Sequence, residues 1–275
     1  MRFIFDNVAD VATLTSPDFV STMPVTNLQL EGRAKTARTT NATGTKIVYG
    51  TWASVKSVSA FCLYRHNLTT DATFRLRLWS GANQSGDILY DSGTLTIGQI
   101  IPWGYFPWGD PWAAFDQQGW ESPFRAIYFT SVAALSFQLD FTDGGNPDGY
   151  LDAKRIVLGP YLDTINPAVG GLSVEWVDPS LQRRTRAGSI RSESEAMWRR
   201  YTLTFDSLPE SDRAALLDAA RQAGKKFEVF LSVFPEADEL SLVRDYSMLA
   251  KITAMPIQTS VEYKRARQTM VFEEV

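Results

Sequence analysis

The run Thr73-Phe74-Arg75-Leu76-Arg77-Leu78-Trp79 alternates without interruption: Phe74, Leu76 and Leu78 fall on one face, Arg75 and Arg77 on the other. A period of two is what a half-buried β-strand imposes, because successive side chains point to opposite faces of a sheet. Comparable runs recur at Lys46–Gly50, Val58–Tyr64, Ile127–Phe129, Leu135–Phe141 and Lys154–Gly159. In the second of these, Val58, Ala60, Cys62 and Tyr64 are expected to share a face. Turn-forming clusters, Asn83–Asp87 and Asp143–Gly149, separate the runs. Short strands punctuated by turns, with no helical pattern between them, predict a β-sandwich or jelly roll over residues 1–163.

The later part of the chain reads differently. Strands are expected at Leu172–Trp176, Arg200–Phe205, Phe227–Phe234, Met248–Ile252 and Thr269–Phe272. Between the second and third lies the one convincing helix. Ser207 reads as its N-cap, Glu210 three residues on completes a capping box, and Gly224 stops it. Leu208, Leu216 and Leu217 with the intervening alanines form its apolar face. The pattern predicts an α+β domain over 170–275 with one main helix, after a Pro/Gly-rich boundary at 159–171. A chain of 275 residues fits two domains at roughly 150 residues each.

Rare residues exclude whole classes of chemistry. Cys62 and His66 are the sole cysteine and histidine, so a disulfide framework, a cysteine-based zinc site and a multi-histidine metal site are all out of reach. His66 follows a strand, lacks a G-x-S-x-G partner and reads as a structural, hydrogen-bonding residue. No apolar run is long enough to span a membrane and no secretory signal opens the chain, so folding in a cytoplasm is expected. With 27 Lys and Arg against 31 Asp and Glu the formal charge is −4, which disfavours sequence-specific nucleic-acid binding. No cofactor, metal or catalytic residue is assigned. Asp140, Asp143, Asn146 and Asp148 offer calcium-type oxygens in a glycine-rich turn, but turns favour the same residues. Glu31, Asp110, Asp116 and Glu121 are acids near aromatics, without a spacing that marks a glycosidase pair. The chain is expected not to be an enzyme.

Two clusters remain as interaction candidates. Trp103, Tyr105, Phe106, Trp108, Trp112 and Trp120 lie in a Pro/Gly-rich stretch, which predicts a loop carrying large apolar side chains. Such a loop suits a subunit contact or stacking on sugar rings, or else it closes the end of its own sandwich. Arg183, Arg184, Arg186 and Arg191 cluster between two expected strands. They fit a ring interface, a basic lumen surface or simply a solvated hairpin; Glu236, Asp238 and Glu239 are candidate counter-charges across a subunit boundary.

Certain motifs carry a resemblance. Pro24-Val25-Thr26-Asn27-Leu28-Gln29, Arg38-Thr39-Thr40 and Tyr64-Arg65-His66-Asn67-Leu68 resemble a module of bacteriophage tail proteins similar to the galactose-binding-like (discoidin-type) jelly roll. The stretch from Arg155 to Asn166 looks like its closing strand. Trp198 to Phe234, a strand, a helix and a hydrophobic strand, resembles the belt domain of siphophage distal tail proteins. In that family the belt typically comes first, whereas here the jelly roll does. The resemblance implies a structural protein of the virion tail tip, with about six copies in a ring joining tail tube protein to baseplate hub. Receptor-binding proteins or host surface glycans would be further partners. The alternative is a carbohydrate-binding module of a receptor-binding tail protein.

Overall fold

The computed structural model describes residues 1–275 apart from 33, 99–121, 166, 168–170, 238–239 and 263–264. In chain order its strands are β1 (Arg2–Ile4), β2 (Thr13–Thr15), β3 (Ala37–Arg38), β4 (Thr45–His66), β5 (Thr73–Trp79), β6 (Ile88–Asp91), β7 (Leu95–Thr96), β8 (Phe124–Thr142), β9 (Asp152–Gly159), β10 (Leu162–Asp163), β11 (Leu172–Val177), β12 (Leu181–Arg184), β13 (Ile190–Glu193), β14 (Trp198–Pro209), β15 (Glu228–Ser232), β16 (Ser247–Glu262) and β17 (Arg265–Glu274). Helix α1 spans Glu210–Ala223 and a short α2 spans Leu240–Asp245. The protein is mainly β, a sandwich plus an α+β unit with one main helix. By contacts it divides into residues 1–163 with 230–248, and 164–229 with 249–275.

The first unit is an antiparallel sandwich organised by two long strands. Four of the runs read as separate strands are halves of β4 and β8. Their register shifts between Thr51 and Lys56 and again between Val58 and Ala60. Before the shifts, β4 lies between β2 and the C-terminal half of β8, which in turn pairs with β5. After them, β4 lies between β9 and the N-terminal half of β8. One core fills the space between these layers: Val48, Leu76, Leu78, Phe137 and Leu139 from one, Phe61, Leu63, Ile156 and Leu158 from the other. Trp52, at the bend of β4, is buried and donates its indole N–H to the Val8 carbonyl at 2.7 Å.

The face assigned to Val58–Tyr64 requires correction. Val58 joins the main core together with Phe61 and Leu63, whereas Ala60, Cys62 and Tyr64 are buried on the opposite side. The irregularity after Val58 switches the alternation, and both faces of the strand are covered. The second cover includes β1 and β15, which pair through Phe3 and Leu231. Phe124 and Phe230 meet there edge to face at 5.7 Å.

In the second unit the strand order is β16, β17, β14, β11, all antiparallel. Helix α1 buries Leu216, Ala220 and Ala223 and packs on β14 and β17. Its start also departs from expectation. Ser207 belongs to β14, Pro209 takes the cap position with no side-chain cap bond, and no capping box forms. The chain stays extended because Leu208 and Pro209 still pair with Ala266 and Arg265 after a bulge. Glu210 and Asp212 instead place negative charge in the first turn, where the helix dipole favours it. Gly224 ends the helix as expected, with φ +57° and its N–H on the Ala220 carbonyl at 2.8 Å.

Candidate functional site

The second unit carries an arm. Strands β12 and β13 pair only with each other among the described residues, and every residue of both is exposed. The turn is closed by the Gly188 N–H on the Thr185 carbonyl at 2.9 Å, with Gly188 at φ +82°, where glycine alone is free of strain. The arm's base is fixed by Asp178, which accepts the Ser180 N–H at 2.9 Å, and by Ser180 Oγ, which accepts the Glu195 N–H at 3.0 Å.

The register decides what the arm presents. Leu181 lies opposite Glu193, Gln182 opposite Ser192, Arg183 opposite Arg191 and Arg184 opposite Ile190. Two guanidinium side chains therefore face each other directly across the strands, an arrangement that repels. Arg184 donates to the Gly188 carbonyl at 3.2 Å. No ion pair engages any of the four arginines among the described residues. Leu181 and Ile190 are 52% and 56% exposed.

Strand β11 leads into the arm and is the outermost strand of its sheet. Leu172, Val174 and Trp176 lie opposite Leu203, Tyr201 and Arg199. On β14 those partners are buried. On β11 the same face reaches the surface, with Val174 exposed and Trp176 52% exposed; Met197, just before β14, is exposed as well. Beneath it Arg199 grips Glu274 with two bonds, 2.9 Å from Nε and 3.0 Å from Nη2, both side chains buried. Residues 172–197 thus combine an open strand edge, an uncovered apolar row and four arginines.

A second surface lies on the outer face of the first unit's sandwich. Tyr49, Gln138, Arg77 and Asp91 form one cross-strand row; Ile47, Asp140 and Arg75 form the next. Arg77 donates to Asp140 at 2.6 Å, Gln138 donates to Asp140 at 2.5 Å, and Arg75 Nε donates to Asp91 at 2.8 Å. The Arg75 contact holds the Asp91 carboxyl below its ordinary range. The Arg77 guanidinium also sits 5.4 Å from the Trp79 ring centre. Planar polar groups are here fixed in place by one another.

The other sequence candidates resolve into structural roles or lie out of view. Trp103, Tyr105, Phe106, Trp108, Trp112 and Trp120 lie outside the described residues, as do Asp110, Asp116, Glu121, Asp238 and Glu239. Glu236 is engaged by Arg2. The turn oxygens are spent on the protein itself: Asp143 accepts from the Thr69 N–H and hydroxyl at 2.8 and 2.7 Å, and Asp148 accepts from Asn67 at 2.9 Å. Asp140 belongs to the polar face rather than to this turn. The hydrogen-bonding role expected of His66 requires correction: it is buried with both ring nitrogens unpartnered, and burial lowers its pKa to about 4 against an upward pull from Asp143. Motif residues that carry the resemblance are cross-links: Asn27 donates to the Thr36 carbonyl at 2.8 Å, Gln29 to the Ala9 and Ala12 carbonyls at 2.7 Å, and Arg38 to Asp152 at 2.9 Å. Among the described residues no cluster of His, Cys, Asp and Glu is arranged to hold a metal, and no helix is long and apolar enough to cross a membrane.

Neither a family model nor a curated protein matches the chain. Several solved structures are similar to it over part of its length. Chitosan-binding module 1, derived from a chitosanase/glucanase of Paenibacillus sp. IK-5, has a TM-score of 0.41 at 10% identity, over 56% of this chain and 99% of the module. The lectin domain of lectinolysin, complexed with Lewis B antigen, has 0.37 at 11%, over 56% and 95%. CpGH89CBM32-5 from Clostridium perfringens, in complex with GalNAc-beta-1,3-galactose, has 0.39 at 7%, over 56% and 100%.

Proposed function

We propose that this protein is a non-catalytic assembly subunit that joins copies of itself and neighbouring proteins into a larger structure, the setting being the tail tip of a bacteriophage. The observation that carries the reading is the concentration of exposed Val174, Trp176, Leu181, Ile190 and Met197 on one open edge and its arm. Apolar groups left in water on a monomer mark a protein contact, and an open strand edge is a template for pairing with another chain. Closure of such contacts into a ring of about six copies removes the free edges. The tail tube and the baseplate hub are the neighbours that the motif resemblance supports. The test is antibody labelling of intact phage particles by electron microscopy. Label confined to the tail tip supports the reading; particles that contain none of this protein contradict it.

A second reading has its own observation. The outer face with Tyr49, Gln138, Arg77, Asp140, Arg75 and Asp91 presents fixed planar donors and acceptors, to which the hydroxyls of a saccharide can hydrogen-bond. On this reading the first unit binds surface glycans of the host. A glycan array probed with the full chain and with Arg77→Ala tests it: binding lost in the variant supports it, and an array without signal removes it.

A further inference from the structure

We infer that the β12–β13 arm is a self-recognition element whose opposed arginines dock on the acidic surface of a second copy of this chain. The inference rests on the assembly reading and names the partner of its arm.

Three observations lead to it. First, the arm is a hairpin that a lone molecule has little reason to hold. Both of its faces are exposed, and a two-stranded hairpin in water is marginal at best. Its central pair, Arg183 opposite Arg191, adds repulsion. A carboxylate entering between the two guanidinium groups converts that repulsion into charge-assisted hydrogen bonds, for which the forked geometry of arginine is suited. No residue of the same chain supplies it among the described residues.

Second, the arm mixes apolar with cationic groups on each face. Leu181 shares a face with Arg183 and Arg191; Ile190 shares the other with Arg184. A phosphate backbone offers nothing to Leu181 and Ile190, whereas a protein surface offers both an apolar seat and a carboxylate.

Third, the charge balance selects a second copy. The arm from Leu181 to Glu193 carries four arginines against one glutamate. The whole chain nevertheless has 31 acidic against 27 basic residues. Outside the arm the chain therefore holds 30 acidic against 23 basic residues, and this net negative charge is what each copy offers a neighbour's arm. A basic arm meeting an acidic surface elsewhere on the next copy is a heterologous contact, the kind that repeats around a ring. The arm also continues directly from β11, so one interface would take both the open edge and the arginines.

Sedimentation velocity on the full chain tests the inference, comparing wild type, Arg183→Glu/Arg191→Glu and Arg183→Lys/Arg191→Lys. Circular dichroism first checks that each variant is folded. The expected result is self-association of the wild type that weakens as salt is raised, as exposed charge contacts do. Charge reversal should weaken it at least about tenfold, with the lysine pair, which keeps the charge but not the forked donors, falling between the two. Wild-type association left unchanged by charge reversal overturns the inference while leaving the assembly reading intact. A wild type that stays monomeric at every concentration contradicts self-assembly itself, and the inference falls with it. Retention of a short DNA duplex by the wild type and not by the charge-reversed form, without self-association, overturns it in favour of a polyanion.

Discussion

At the scale of single residues, two buried positions make contributions to stability that can be tested. Gly50 is one. A Cβ there would lie 2.1 Å from the Phe137 ring, and that ring is buried and packed on Trp52 at 5.1 Å. Gly50→Ala should therefore destabilise the first unit by about 1–3 kcal/mol through overpacking, measured as a lowered midpoint in urea. His66 is another. Its pKa falls from 6.5 to about 4 on folding, chiefly through burial. The unfolded chain then binds more protons than the native one between those values, so stability is lost as pH falls through that window. The loss is on the order of 3 kcal/mol, and His66→Leu should flatten the acid limb of a pH–stability profile. A wild-type profile already flat between pH 6.5 and 4 would contradict this. The sequence marked His66 as structural because nothing catalytic accompanied it. It carried no sign of the two unpartnered nitrogens, since burial at that point comes from strands distant in sequence.

At the scale of elements, legibility followed how many faces a strand buries. β5 is buried on one side, so its alternation named its core residues Phe74, Leu76 and Leu78 correctly. β4 beyond Val58 is buried on both sides, so alternation carried no information there, and an unseen shift in register reversed the face. The start of α1 was misread for a related reason. Ser207 and Glu210 have the spacing of a capping box, but pairing of Leu208 and Pro209 with β17 keeps the backbone extended past the serine. The arginine cluster was visible in the sequence. The confrontation of Arg183 with Arg191 was not, because the turn at Thr185–Ser189 sets the register. Two predictions belong here. Glu274→Gln strips Arg199 of its buried counter-charge and should cost about 3–5 kcal/mol, read from thermal or urea unfolding. Replacing Leu181–Glu193 by a short Gly/Ser linker should leave the melting temperature within about 2 °C, since surface elements that pack on nothing contribute little. The same replacement should abolish association.

At the scale of the whole molecule, the open edge of β11 and the exposed arm are the features on which the proposed assembly role rests. Four of its 27 basic residues, all arginines, are gathered on the arm, where a neighbour can use them. The measurement that tests this account most directly is the mass of the full-length protein in solution across a range of concentrations, by light scattering, with negative-stain images of the same sample. The account predicts discrete closed assemblies, rings of about six copies, that come apart at high salt. A single species of 30.7 kDa at every concentration and salt would contradict it.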